Sequence, residues 1–340
     1  MNVLRGAIIG VGNIALKGHL PAYLQDEMLK KEMVLVAVAD LSPANLAKAK
    51  EFLPAARTYT STSDLFSSEG LDFVDICSPP HSRGEIIKEA LDHSCHIVCE
   101  KPLATSASEG KRIAERIRNK NVVFVPCHQY RYSTVWRSVK EIIDNDELGK
   151  VFMAQFNVFR MKADSGTPEW QSNWRVDPKT SGGGIVVDTG SHYLYLLSYL
   201  FGKPQRITAR TATLRHHDYP VEDTALIIAE YNHLVAQINL TWAADRRDNR
   251  NSIIGAKGSL FTSGDRILLS LDGVQKEYPG EDVSNKATYV RWYADLLKEF
   301  ANRVKTGNRS FDLLDEALNI LSWTESCYES AAKGMTISVQ

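Results

Sequence analysis

A glycine-rich turn near the start of the chain constrains the fold more than any other feature. The apolar run Ala7–Ile9 leads into Gly10-Val11-Gly12-Asn13-Ile14-Ala15, which has the spacing G-x-G-x-x-A. In a strand–turn–helix unit the first glycine permits a tight turn, the second lets the backbone approach a pyrophosphate, and a small third residue keeps the helix close to the sheet. The motif predicts a dinucleotide site, with an ordinary strand-to-helix turn as the alternative. Its predicted contacts are Gly10, Gly12, Asn13 and Ile14.

Hydrophobic patterning divides the chain into two parts of one α/β protein. Over residues 1–125, short apolar runs alternate with amphipathic helical runs, which is typical of a parallel sheet covered by helices. The predicted strands there are Arg5–Ile9, Val34–Ala39, Phe73–Cys77, His96–Cys99 and Val122–Val125. We therefore predict a dinucleotide-binding domain over residues 1–125 and a second domain over residues 126–340.

The second part has longer alternating runs separated by turn residues, a pattern that indicates a mostly antiparallel sheet. The runs are Val151–Phe159, Arg206–Leu214, Ala225–Tyr231 and Leu234–Trp242. Two helices, Tyr289–Thr306 and Leu313–Ala332, are predicted to complete it.

Asp40 stands at the end of the predicted second strand, 28 residues after Gly12. A carboxylate at this position can accept hydrogen bonds from the adenine ribose hydroxyls and would repel a 2′-phosphate. No Arg or Lys follows it directly, since Leu41-Ser42-Pro43 come next. The sequence therefore favours NAD over NADP. A helix-capping or turn role for Asp40 is the alternative.

Two polar segments follow strands at the edge where open parallel sheets bind ligands. Ser78 and Pro79 come after one strand, and Glu100 and Lys101 come after the next. An ammonium just beyond a buried strand would lie beside the nicotinamide, where partial desolvation lowers its pKa and suits it to proton transfer. Lys101 is thus a candidate catalytic residue, with a surface loop lysine as the alternative.

A third polar cluster follows the glycine run Gly182–Gly184. Asp188 and His192 are four residues apart, so on an α-helix they would share one face. A histidine with a carboxylate in reach can take a proton from a hydroxyl near neutral pH. A buried structural hydrogen bond is the alternative. We expect no metal, because third and fourth ligands at zinc spacing are missing.

Composition excludes several classes of protein. The chain has 40 Lys and Arg against 41 Asp and Glu, a formal net charge of −1, whereas nucleic-acid and anionic-membrane binders need a basic excess. Its apolar runs fall short of the ~20 residues that span a bilayer, and the turn at Gly10 interrupts any signal-peptide core. Five cysteines without paired spacing indicate reduced thiols. We expect a cytoplasmic protein.

Together these motifs resemble the glucose–fructose oxidoreductase / inositol dehydrogenase (Gfo/Idh/MocA) family. The likeness rests on the glycine turn, Asp40, Glu100-Lys101-Pro102, the segments 128–132 and 328–334, and Gly182–Gly184 with Asp188 and His192. It implies a Rossmann domain followed by an α/β domain with a large, mostly antiparallel sheet, through which members pair into homodimers or homotetramers. It also implies a catalytic trio of Lys101, Asp188 and His192, with Glu100, Lys101 and Gln129 at the cofactor.

The same resemblance suggests which residues line the substrate pocket. Arg160, Trp174 and Arg175 stand where family members contact substrate, although each could equally be a packed aromatic or an ion-pair partner. Arg246, Arg247 and Arg250 form a basic cluster that we expect to be a solvated loop rather than an anion site.

The activity implied by the resemblance is NAD-dependent hydride transfer between nicotinamide and a secondary alcohol of a sugar, inositol or related polyol. His192 would take the hydroxyl proton, Lys101 would hold the oxygen, and Asp188 would orient His192 or substrate hydroxyls. Two alternatives stay open: a redox-neutral NAD-dependent lyase or glycosidase, and a non-catalytic dinucleotide-binding regulator. Retention of all three residues argues against the regulator.

Overall fold

The computed structural model describes residues 3–168, 170–283 and 285–339. Its first part contains short strands, each followed by helices or loops. The strands are β1 (Leu4–Ile9), β2 (Met33–Ala39), β3 (Arg57–Tyr59), β4 (Phe73–Ile76), β5 (His96–Cys99) and β6 (Phe124–Pro126). The helices are α1 (Leu20–Gln25), α2 (Glu27–Glu32), α3 (Pro43–Phe52), α4 (Thr62–Ser68), α5 (Arg83–Asp92) and α6 (Ala107–Arg118), with a π-helical turn at Ala15–His19 ahead of α1.

Among the described residues these strands form one six-stranded sheet, in the order β3-β2-β1-β4-β5-β6. Every neighbouring pair is parallel. The strand order reverses between β1 and β4, so the loops that follow these two strands diverge and leave a crevice at their carboxyl ends. This is the doubly wound Rossmann arrangement, and it confirms the predicted fold class of the first part.

The second part begins with α7 and is dominated by a larger sheet. Its strands are β7 (Val151–Phe159), β8 (Arg206–Ala212), β9 (Thr224–Glu230), β10 (Val235–Thr241), β11 (Asp248–Gly255), β12 (Gly258–Ser263), β13 (Arg266–Leu271), β14 (Val274–Pro279) and β15 (Ile337–Ser338). Its helices are α7 (Thr134–Asp144), α8 (Pro178–Ser181), α9 (Ser191–Phe201), α10 (Tyr289–Thr306) and α11 (Asp312–Lys333).

In the described part of the chain the second sheet has nine strands, in the order β14-β13-β12-β11-β7-β10-β9-β8-β15. Only β7 and β10 pair in parallel, which confirms a mostly antiparallel sheet. Alternate residues of β10 are buried, as Ala236, Ile238 and Leu240 illustrate, so one face of the sheet packs on the core.

The two long helices that complete the second part also cover the first sheet. Phe300 of α10 packs edge-on against Phe73 of β4, with ring centroids 5.7 Å apart. On the other face, Leu314 and Leu321 of α11 join the apolar cluster that contains Ile97 of β5. The two parts therefore share their apolar cores. The predicted boundary at residue 125 stays a prediction.

Sequence patterning did not single out β3 or β11 to β15, although β11 has buried residues at alternate positions. Others of these strands are short or highly exposed. β3 has three residues, and β14 has a run of exposed polar side chains, so neither shows clear apolar alternation. The prediction of a loop around Arg250 was wrong, because this residue lies within β11. The five cysteines are unpaired, as expected. Within the described ranges, no helix is both long and apolar enough to cross a membrane.

A tight contact in the first sheet gives a test of its packing. A Cβ added at Gly6 would lie 2.1 Å from Cζ of Phe73, whose ring is fully buried and cannot swing away. We expect Gly6→Ala to lower the free energy of unfolding by about 1–3 kcal/mol or more, because overpacking displaces buried neighbours. Urea denaturation measures the change.

Gly70→Ala is the matched control, since a Cβ there meets nothing within 4 Å. A Gly6→Ala protein as stable as the control would contradict this account of the strand packing.

Candidate active site

The glycine turn lines a cavity of about 480 Å³ at the crevice of the first sheet. Gly10 has φ +87°, and a Cβ there would lie 2.7 Å from the Ser78 nitrogen, so the close approach of two loops requires glycine. A Cβ at Gly12 would meet nothing within 4 Å. The space beside Gly12 is thus left for a ligand rather than filled by protein. The predicted residues that line this cavity are Gly10, Gly12, Asn13, Ile14, Asp40, Ser78 and Pro79.

Asp40 organises the edge of this cavity. Its carboxylate accepts hydrogen bonds from the Val11 nitrogen at 2.7 Å and the Ser42 nitrogen at 2.8 Å, and it also accepts one from the Asn45 amide. Ser42, not Asp40, caps α3. The carboxylate therefore links the glycine turn to the loop after β2 while still lining the cavity, and a purely helix-capping role is wrong.

A second, smaller cavity adjoins the first, and Ile14, Ser78, Trp174 and Arg175 line both. The second cavity brings together the predicted catalytic and substrate-binding residues with Glu100 and Gln129, and of this set only Trp174 and Arg175 also line the first cavity. The full set is Glu100, Lys101, Gln129, Arg160, Trp174, Arg175, Asp188 and His192.

Lys101 joins the two parts of the chain across this cavity. Its Nζ donates a hydrogen bond to the main-chain oxygen of Asp188 at 2.5 Å. Burial lowers the pKa of the Lys101 ammonium, and the negative charges of Asp188 and Glu100 oppose part of that shift. The alternative of a solvated loop lysine is therefore wrong.

His192 is buried and held by two aromatic side chains. Its ring stacks on that of Tyr130, with centroids 4.3 Å apart and planes 10° from parallel, and its Nδ1 lies 2.9 Å from the Tyr195 hydroxyl. Burial, together with the positive charges of Lys101 and others, lowers the pKa of His192 well below 6.5. The imidazole is therefore neutral at pH 7 and able to accept a proton.

The tautomer of His192 decides which nitrogen can act. The Tyr195 hydroxyl oxygen already accepts a hydrogen bond from the Tyr130 nitrogen at 3.0 Å, and it has a second lone pair. If Nδ1 carries the ring hydrogen and donates it to Tyr195, Nε2 is left as the acceptor. Tyr195, which sequence analysis did not single out, thus has the position that was expected for Asp188.

The expected pairing of Asp188 with His192 is wrong for a local reason. Residues Val186–Gly190 form a π-helical turn, whose wider winding shifts a four-residue spacing off a common face. The Asp188 carboxylate instead accepts a hydrogen bond from Arg175 Nε at 3.2 Å. It remains in the cavity, beside the groups that would meet substrate.

The glycine run ahead of Asp188 exists because other segments approach it closely. A Cβ at Gly183 would lie 2.2 Å from the Tyr328 hydroxyl, and one at Gly184 would lie 2.2 Å from the Glu222 carbonyl. The Glu222 carboxylate accepts from the Gly184 and Val186 nitrogens and from the Tyr328 hydroxyl, at 3.2, 3.0 and 2.8 Å. α11 and the loop before β9 thus position the turn that carries Asp188.

The three residues that were predicted to contact substrate have structural partners and also line the cavity. Nη1 of Arg160 donates to the carbonyls of Phe159 and Asp248 and to Oδ1 of Asn249. The Arg175 guanidinium lies over the Trp174 ring at 4.3 Å. All three residues line the second cavity, and Arg175 is also an ion-pair partner of Asp188, whereas their contact with substrate stays a prediction.

The basic cluster at 246–250 does not form a single solvated loop. Arg247 lines the second cavity and pairs with Asp164 at 3.2 Å. Arg246 is exposed and pairs with Asp248 at 3.4 Å. The expectation was thus wrong for Arg247, because β11 begins at Asp248 and directs these neighbours to different sides.

Beneath Glu100 lies a buried ionic network that sequence analysis missed. His19 is fully buried, with Nδ1 2.8 Å from Asp75 and Nε2 3.1 Å from Glu100, and the Tyr293 hydroxyl donates to the same Glu100 oxygen. Burial lowers the pKa of His19, but the charges and hydrogen bonds of Asp75 and Glu100 outweigh it and raise the pKa to about 9. Protonated His19 thus forms an ion pair with Glu100 and fixes the position of its carboxylate.

Two family models match the chain. The model of the oxidoreductase family with an NAD-binding Rossmann fold matches residues 4–128, and that of the GFO/IDH/MocA C-terminal domain matches residues 136–261. The chain belongs to the Gfo/Idh/MocA oxidoreductase family. The predicted family is thereby confirmed.

Several characterised or solved members of the family are similar along their whole length. D-apiose dehydrogenase of Rhizobium rhizogenes is 24% identical, with 100% of this chain and 98% of that protein covered. D-xylose 1-dehydrogenase (NADP(+)) 2 of Haloferax volcanii is 24% identical, with 98% of each covered. A structure of levoglucosan dehydrogenase with NADH and L-sorbose superposes with a TM-score of 0.88 at 20% identity, covering 100% of both chains, which supports the shared fold.

The network beneath Glu100 predicts a pH-dependent stability. A histidine whose pKa rises from about 6.5 in the unfolded chain to about 9 in the folded protein contributes its full stabilisation when the pH is below the unfolded-state pKa. This contribution is lost as the pH increases through the folded-state pKa. We expect the wild-type free energy of unfolding to fall between about pH 7 and pH 9, and to fall less in His19→Gln.

Urea denaturation at both pH values measures the two slopes. His233→Gln, a change at an exposed histidine, is the control and should keep the wild-type dependence. Equal slopes in His19→Gln and wild type would show that His19 does not hold its proton in the folded state.

Proposed function

We propose that this protein is an NAD-dependent dehydrogenase that transfers hydride between nicotinamide and a secondary alcohol of a sugar, inositol or related polyol. The observation that carries the proposal is the meeting of Lys101 and His192 in one cavity that opens onto the glycine turn. Lys101 supplies a cation in the lining of this cavity, and His192 supplies a neutral base. This combination suits the removal of a proton from an alcohol whose oxygen is held in place.

The names of relatives support the substrate class. D-apiose dehydrogenase and D-xylose 1-dehydrogenase are named for sugars, and both align with nearly all of this chain. The Gfo/Idh/MocA membership supports hydride chemistry on a dinucleotide. The particular sugar or polyol is not implied by either observation.

The first cavity fits a dinucleotide. The open space at Gly12 suits a pyrophosphate, and helix-terminal N–H groups can bind it. In the second cavity the Gln129 side-chain oxygen is buried and has no hydrogen-bond partner among the described residues, so it can accept from a bound carboxamide. When NAD is bound, it supplies the hydride acceptor.

The protein's own residues would divide the remaining work. The Lys101 ammonium would donate to the substrate oxygen and stabilise the charge that develops there. Nε2 of His192 would accept the hydroxyl proton, while Tyr195 holds Nδ1 and the stacked Tyr130 ring fixes the imidazole plane. The Asp188 carboxylate, paired with Arg175, would accept from a neighbouring substrate hydroxyl.

Cofactor choice has to be argued from this chain, because one relative is named for NADP(+). Asp40 lines the first cavity together with Leu41, Asn45, Thr60 and Ser61, none of which is charged. A carboxylate among neutral neighbours repels a 2′-phosphate and suits the ribose hydroxyls of NAD. These observations favour NAD. Pairing of chains through the second sheet stays a prediction from the family likeness.

Removal of the proposed base tests the mechanism. We expect His192→Ala to lower kcat for alcohol oxidation by roughly 10²–10⁴-fold, the usual contribution of general-base catalysis, while NAD still binds. In the wild type, the low pKa of His192 should keep kcat/KM level as pH falls from 8 to about 6.5. NADH absorbance with a panel of sugars and polyols measures both kcat of the variant and the pH dependence of kcat/KM in the wild type.

His217→Ala, at an exposed histidine, is the control. Parent-level turnover in His192→Ala would exclude the base role. Product formation without net NADH would instead select the redox-neutral reaction, and NAD binding with no product from any compound would select the regulator.

The role of the Asp40 charge in cofactor choice can be tested by comparing the two cofactors in one variant. Asp40→Asn removes the negative charge and keeps only one of the two oxygens that accept from Val11 and Ser42, and the lost hydrogen bond affects both cofactors alike. We expect the ratio of kcat/KM for NADP to that for NAD to increase roughly tenfold, because one charged contact is typically worth about that factor. An unchanged ratio would show that Asp40 does not discriminate between the two cofactors.

A further inference from the structure

The described residues that line the second cavity are predominantly positive. Six of them are basic and three are acidic, although the whole chain has a formal net charge of −1. Protonated His19 compensates Glu100 from outside the cavity, which lowers the negative contribution further. The basic residues are Arg83, Lys101, Arg160, Arg175, Arg247 and Lys286, and the acidic ones are Glu100, Asp164 and Asp188.

Two of the buried cations face neutral acceptors. Arg160 is 5% exposed, and its partners are two carbonyls and the Asn249 amide. Arg83 is 2% exposed and donates to carbonyls of Ser78 and Pro102. Within the described chain neither forms an ion pair with a carboxylate. Buried charge without a counter-ion is costly, so an anionic ligand would stabilise this wall.

At the mouth of the cavity two cations share one carboxylate. Arg247 Nη2 lies 3.2 Å from Asp164 Oδ1, and Lys286 Nζ lies 2.8 Å from Oδ2. These side chains are partly exposed, in contrast to Arg160 deeper in the wall. A positive excess therefore runs from the mouth to the buried part of the cavity.

A bound dinucleotide would not neutralise this excess. Its phosphates belong at the glycine turn, in the first cavity. The oxidised nicotinamide is itself positive and would add to the charge of the second cavity. The other ligand of the second cavity is the substrate, which can supply the counter-charge.

We propose that the substrate is an acidic sugar derivative, an aldonate or uronate, whose carboxylate is bound by Arg160 and Arg247. This inference rests on the proposed function and narrows its substrate class. Guanidinium groups suit carboxylates because their N–H donors match the two oxygens. Arg160 donates to Phe159, Asp248 and Asn249 through Nη1, which leaves its other N–H groups for the nearby Tyr193 hydroxyl and for a ligand.

Matched pairs of compounds test the substrate class. D-Glucuronate is compared with D-glucose, D-galacturonate with D-galactose, and D-gluconate with D-glucitol, each with NAD and with NADH absorbance as readout. We expect kcat/KM to favour an acid over its neutral partner by roughly 10- to 100-fold, the effect of one or two charged hydrogen bonds. Neutral partners that react equally well or better would overturn the inference and leave the dehydrogenase proposal intact.

Sugar 6-phosphates form a third arm of the experiment, because a phosphate monoester is also anionic but carries a larger negative charge, about −1.5 to −2 at pH 7. A preference for glucose 6-phosphate over glucuronate would overturn the carboxylate assignment.

Two neighbouring arginines provide matched variants. Arg247→Gln removes a cavity charge, whereas Arg246→Gln removes an exposed charge outside the cavity lining. We expect Arg247→Gln to lower kcat/KM for the acid roughly tenfold more than for its neutral partner, with most of the difference in KM. Arg246→Gln should leave kcat/KM unchanged for both the acid and its neutral partner. An equal loss on both substrates in Arg247→Gln would indicate a structural role and overturn the inference.

If no sugar is oxidised, calorimetry with the NADH complex separates the two proposals. Binding of glucuronate but not glucose, weakened in Arg247→Gln, would support the anion-binding pocket although the dehydrogenase proposal failed. Absence of glucuronate binding would overturn the inference.

Discussion

The hydrogen bond from the Lys101 ammonium to the Asp188 carbonyl is the contact on which the candidate site depends. It joins the loop after β5 to the π-helical turn ahead of α9, two segments that are far apart in the sequence. Because the acceptor is a main-chain oxygen, the Asp188 carboxylate stays free to pair with Arg175. One contact thus fixes the ammonium, the carboxylate and the start of the helix that carries His192.

His19 and His192, two of the buried histidines of this region, show how partners decide the effect of burial on a pKa. Burial alone lowers the pKa of both imidazoles. At His19 the nearby charges are the carboxylates of Asp75 and Glu100, and the pKa rises to about 9. At His192 the nearby charges include Lys101 and Arg160, and the pKa falls well below its ordinary value. One histidine is therefore a structural cation and the other a neutral base, within the same wall.

Sequence reasoning recovered what is encoded locally. The glycine turn, Asp40 and the polar residues after β4 and β5 follow from strand ends and turn geometry, and all of them line the two cavities. What it missed depends on contacts between distant segments, as in the His19 network and the Glu222–Tyr328 pair. Sequence reasoning also predicted that Asp188 pairs with His192, and this was wrong because residue spacing does not reveal a π-helical turn.

The packing of Tyr328 against the glycine run has a consequence for the order in which the site can assemble. The turn that carries Asp188 fits only between Glu222 and a side chain from the last helix. During synthesis on the ribosome, the loops of the first sheet emerge early. The wall opposite Lys101 can be completed only after residue 328, in α11, has left the exit tunnel. A nascent chain halted before residue 328 would have every reacting group but no complete scaffold to hold them.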